Sequence, residues 1–168
     1  MLRRSLPIGL CIAVAVGGVA VAASGGHGMT PRAALLNAHG LQVRSTVGSF
    51  CTESRPKPGG GSAECADYAY PLRTHGRLPV AGGDRVALRF RHNPTIRDRV
   101  RSVRVTPLHA TKDDFSTAGT AVRARVNPKH PSRWKATLPG DLGTANVLDV
   151  SVRYPHGDAD FWAGIVQG

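Results

Sequence analysis

Residues 148–154 read Leu148-Asp149-Val150-Ser151-Val152-Arg153-Tyr154, and their alternation decides the fold class. Leu148, Val150, Val152 and Tyr154 fall on one side of an extended chain, with Asp149, Ser151 and Arg153 on the other. A period of two marks a strand with one face on a core and one in water, because successive side chains of extended backbone point to opposite faces. The same pattern recurs on both sides of this stretch. Val86, Leu88 and Phe90 oppose Arg85, Arg89 and Arg91; Val122, Ala124 and Val126 oppose Ala121, Arg123 and Arg125. Trp134, Ala136 and Leu138 oppose Arg133, Lys135 and Thr137, and Leu41, Val43 and Val47 oppose Gln42, Arg44 and Thr46. Weaker strands are predicted at 65–71, 100–106 and 161–166. Turn signals separate them: Ala81-Gly82-Gly83-Asp84, Asn127-Pro128, Pro139-Gly140-Asp141 and Pro155-His156-Gly157-Asp158. Seven or eight short strands with turns about every ten residues predict an all-β, antiparallel β-sandwich over residues 41–168, with a small barrel as the alternative.

Composition agrees with one exported domain. The chain has 168 residues, 41% apolar and 20% charged, which fits neither a disordered polyampholyte nor a polytopic membrane protein. Arg3 and Arg4, then an apolar run over residues 6–21 ending in Ala20-Val21-Ala22, read as a signal peptide over residues 1–22. An uncleaved anchor, and with it membrane contact, is the alternative, since the run sits near the lower limit of about 17 residues for spanning a bilayer. Residues 23–40 read as a flexible lead with a short helix. Thr30 would cap it, Pro31 would occupy its first turn, residues 33–36 would fill it and Gly40 would end it. Cys11 leaves with the signal, so Cys51 and Cys65 remain as a pair in an oxidising compartment. A disulfide between them would close a Pro- and Gly-rich loop that has no large apolar residue to hold it.

Two stretches carry a family resemblance. Val47-Gly48-Ser49-Phe50-Cys51 followed by Glu64-Cys65-Ala66-Asp67, and the tail from Leu138-Pro139-Gly140-Asp141-Leu142 to Gly157-Asp158-Ala159-Asp160-Phe161, are the residues concerned. The chain resembles uncharacterised exported immunoglobulin-like domain proteins of high-GC Gram-positive bacteria. That resemblance implies an immunoglobulin-like sandwich outside the cytoplasm, and it brings no catalytic residue with it.

Motifs for chemistry are sparse. Gly48-Ser49-Phe50-Cys51-Thr52 lacks the second glycine of a nucleophile elbow, and Gly59-Gly60-Gly61-Ser62 lacks the lysine of a phosphate-binding loop. No two histidines stand at metal-ligand spacing, so no metal and no cofactor is expected. Asp158 and Asp160 would share a strand face, where a cation site competes with an ordinary turn. The informative feature is arginine. Lys+Arg number 22 against 11 Asp+Glu, a net charge of +11, and Arg85, Arg89, Arg91, Arg123 and Arg125 take the polar phase of their strands. A guanidinium fork binds phosphate or sulfate through two parallel hydrogen bonds, so these five residues are the candidate anion-binding set. The alternative is a solvated face that keeps the domain soluble. Without interleaved aromatics, no specific nucleic-acid platform is expected. The expected function is a non-catalytic module of the cell envelope, taking an anionic polymer or another envelope protein as partner. A secreted hydrolase or inhibitor with a loop-built site is the alternative.

Overall fold

The alternating stretches are strands in the computed structural model of the chain, which describes residues 33–53, 63–67, 73–90, 100–155 and 157–168. The expected signal peptide, the Thr30-Pro31 helix start, the tip of the disulfide loop and Arg91 lie outside the described residues. Among the described residues thirteen strands run in order: β1 (Ala34–Ala38), β2 (Leu41–Arg44), β3 (Thr46–Glu53), β4 (Ala63–Ala66), β5 (Arg77–Val80), β6 (Arg85–Phe90), β7 (Ser102–Ala110), β8 (Phe115–Thr117), β9 (Val122–Arg123), β10 (Arg125–Asn127), β11 (His130–Thr137), β12 (Val147–Tyr154) and β13 (Gly157–Gln167). A five-stranded sheet has the order β10-β11-β6-β1-β2. An eight-stranded sheet has the order β4-β3-β13-β12-β7-β8, with β5 on β13 and β9 on β7. Every pairing among the described strands is antiparallel except β5 with β13.

The two sheets pack face to face over a single main core. Leu36, Leu88 and Trp134 of the first sheet meet Val103, Val150, Val152 and Phe161 of the second. The Phe90 and Phe161 rings lie 5.9 Å apart across the interface. Burying each such aliphatic or aromatic side chain contributes about 1.5–3 kcal/mol, which orients every strand that carries one.

Two departures from the sequence reading have physical causes. Residues 34–38 are a strand and not a helix: Ala34, Leu36 and Ala38 are buried and β1 pairs with β2 and β6. His39 and Gly40, both at positive φ (50° and 80°), form the two-residue turn that joins β1 to β2. Gly40 therefore supplies a hairpin turn where a helix stop was expected, since a positive φ serves either purpose. The sandwich thus begins before residue 41. The described strands outnumber the expected seven or eight because β1, β5 and β8 were not expected as strands and because two expected strands each break where the chain changes sheet. The strand expected over residues 41–47 breaks at the buried Ser45, whose hydroxyl accepts from the Ala34 amide (2.9 Å) while its own amide donates to the Ala34 carbonyl (2.9 Å). Residues 122–127 break at Ala124, which is 3% exposed and marks the passage from β9 to β10. Beyond that passage Val126 is 43% exposed instead of buried. Leu41, expected on the core-facing phase, lies opposite the buried Ala38, yet on the edge strand it is 56% exposed.

Cys51 and Cys65 are directly opposed on β3 and β4, with Cα atoms 4.1 Å apart, and are bonded. Replacing Cys51 by serine should cost roughly 2–5 kcal/mol, the usual loss for a native disulfide in a small domain. Urea unfolding of the oxidised wild type and of Cys51→Ser checks this; equal midpoints would refute it.

Candidate functional site

The alternation that builds the core also sets the outer face of the five-stranded sheet. With Val86, Leu88, Trp134 and Ala136 turned inward, Arg85 and Arg89 on β6 and Arg133 and Lys135 on β11 stand outward in solvent. Strand pairing then brings distant residues side by side. Arg133 lies opposite Arg89, Lys135 opposite Arg125, and Thr137 opposite Arg85. The row through Arg133 and Arg89 continues over Leu35 to Arg44 on β2. On the other sheet, Arg104 lies opposite Arg123. Residues so paired have Cβ atoms about 5 Å apart, and like charges at that spacing destabilise the strand pair. Three like-charged pairs therefore stand across from one another.

Four of these cations border a cavity of about 600 Å³. Arg85, Arg123, Arg125 and Lys135 line it with Thr137, and the Asn127–Pro128 turn forms its rim. The turn is held by the Asn127 side-chain oxygen, which accepts from the Lys129 amide at 3.0 Å. The opposite end is fixed where two connections meet. The Gly83 amide donates to Pro139 (3.1 Å) and the Leu138 amide donates to Asp84 (2.8 Å), clamping the start of β6 to the end of β11. A Cβ at Gly82 would come 1.9 Å from the Gly140 carbonyl oxygen, so this approach requires glycine. Asp84, the acid next to Arg85 in sequence, is already engaged. It accepts from His39 Nε2 and from the Ala81 amide, both at 2.7 Å, and these bonds, led by that from His39, hold its carboxyl below the usual range. Among the described residues His39–Asp84 is the one contact within 4 Å between a basic and an acidic side chain, so no described arginine touches a described carboxylate.

A second cavity of about 390 Å³ opens on the outer face of the eight-stranded sheet. Arg104, Arg123 and Arg153 line it, with Ser151, Asp158 and Asp160. Asp158 and Asp160 do share a strand face, and Asp160 accepts a hydrogen bond from the Ser49 hydroxyl at 2.8 Å. Among the described residues no three His, Cys, Asp or Glu side chains gather as a metal site. Beside Asp160 lies Asp149, whose carboxyl is pushed up to about 7, first by burial and then by the Asp160 charge. The Ser151 hydroxyl donates to its Oδ2 at 2.9 Å, while the buried Oδ1 has no hydrogen-bond partner.

Of the five candidate residues, Arg85, Arg123 and Arg125 meet at the first cavity, and Arg89 stands on the same outer face, opposite Arg133. Arg89 and Arg123 do not share a sheet: β6 belongs to one and β9 to the other, because the chain crosses at Ala124. Sequence reading missed Lys135 and Arg44 as members of the surface. The Arg133-Trp134-Lys135-Ala136 alternation placed Lys135 outward, but only the pairing of β11 with β10 and β6 sets it beside Arg125. No family model, curated protein or solved structure matches the chain.

Proposed function

We propose that the chain is an exported, non-catalytic β-sandwich module of the cell envelope that binds an anionic polymer through the outer face of its five-stranded sheet. The observation that carries this reading is the set of like-charged cross-strand pairs, Arg89 with Arg133 and Arg125 with Lys135, with no carboxylate at any outward position of the described strands between them. A face kept only for solubility mixes both signs. A face that sets arginine against arginine gains when a ligand brings the missing negative charge. The Cys51–Cys65 disulfide supports an oxidising compartment, in line with the signal-like residues 1–22 and the immunoglobulin-like resemblance. Among the described residues, neither cavity sets a histidine against a carboxylate, the arrangement that would favour a hydrolase. The test is fluorescence anisotropy of labelled long-chain polyphosphate with the wild-type protein at low ionic strength, with an uncharged dextran as control. Binding of polyphosphate but not dextran is expected. Equal behaviour of the two polymers would overturn the proposal.

A further inference from the structure

We infer that the polymer is a flexible linear chain that passes around the sandwich edge at Ala124 and engages both cavities, which rules out a flat anionic surface as the ligand. This inference rests on the polyanion reading above and specifies its ligand. Arg123 lines both cavities. It stands two residues from Arg125, with the buried Ala124 between them, so the two guanidinium groups belong to different sheets and meet at one edge. On one side of that edge the basic surface runs through Arg125 and Lys135 towards Arg85 and Arg89. On the other it runs through Arg104 to Arg153. The outer faces of two packed sheets look in opposite directions across a core about 10 Å thick. A bilayer surface can lie against one of them only, whereas a polymer with rotatable linkages can follow the edge from one to the other. Asp158 and Asp160 on β13 bound the second cavity beyond Arg153, so the track for an anion ends there.

The experiment compares tripolyphosphate, long-chain polyphosphate and phosphatidylglycerol vesicles as probes, with wild type and with the double variant Arg104→Gln/Arg153→Gln. Both side chains are exposed, so the variant should fold; its circular dichroism and unfolding midpoint confirm that before binding is measured. The long chain is expected to bind wild type far more tightly than tripolyphosphate does. The double variant should lose roughly tenfold to a hundredfold for the long chain, with the salt slope falling by about 1.4, as for two lost phosphate contacts. Tripolyphosphate, held at the first cavity, should be unaffected. If the long chain binds the double variant as tightly as wild type, or if vesicles compete with it at equal phosphate, the wrapped track is refuted while the basic face stands. If none of the three probes binds wild type, the polyanion reading itself fails and this inference goes with it.

Discussion

Replacing Arg85, Arg123, Arg125 and Lys135 together by glutamine should weaken binding of long-chain polyphosphate by about a thousandfold at low salt. Each phosphate neutralised by a cation releases condensed counterions, and for single chains this lowers the salt slope by about 0.7 per contact. Four lost contacts should therefore flatten the slope by about 3, and the loss of affinity grows as salt falls. Folding should be little changed. The four side chains are exposed, and their removal relieves the Arg125–Lys135 and Arg104–Arg123 like-charge oppositions. The stability of the variant is thus expected to equal or slightly exceed that of wild type. A variant that unfolds would show that these arginines pack in the structure and do more than present charge. One that folds and binds as wild type does would place binding elsewhere.

Asp149→Asn should stabilise the domain at pH 8 by up to roughly 4 kcal/mol and have little effect near pH 4. The Asp149 carboxyl titrates near 3.8 when exposed but at about 7 in the fold, because burial and Asp160 both disfavour its charge. The folded state therefore holds a proton that the unfolded state has lost throughout the window from about 4 to 7. Stability falls as pH rises through that window, and the full cost is present above 7. Each tenfold change in proton affinity is worth about 1.4 kcal/mol, which sets the upper figure. Asparagine keeps an acceptor for the Ser151 hydroxyl and removes the charge that repels Asp160. Urea unfolding at pH 4, 6 and 8 measures this: the wild-type midpoint should decline with pH more steeply than that of the variant. Parallel declines would show that Asp149 is ionised in the fold without cost.

The central strands β6, β11 and β12 were legible because burial enforces the period of two, whereas β5 and β8 were not read as strands. Val86, Leu88, Phe90, Trp134, Ala136, Leu148, Val150 and Val152 are all buried as their alternation requires. Two things were not legible, for one reason each. Ala34, Leu35 and Leu36 favour helices by propensity, and only their place between β2 and β6 makes them a strand, so tertiary pairing overrode local preference. Ser45 and Ala124 carry no breaker residue, yet both mark a change of sheet, since what divides those strands is where their partners lie. The candidate site followed the same split. Outward phase was visible in Arg85, Arg89 and Arg125, while the neighbours that make them a surface, Lys135, Arg133 and Arg44, depend on register between strands as far apart as residues 44 and 133.

The salt dependence of polyphosphate binding by the wild-type domain tests the central claim most directly. With contacts from both cavities and the Arg89–Arg133 row, the logarithm of the association constant should fall linearly with the logarithm of salt, at a slope steeper than about −3. A slope near zero, or binding that persists unchanged at about 1 M salt where exposed charges are screened within roughly 3 Å, would contradict it.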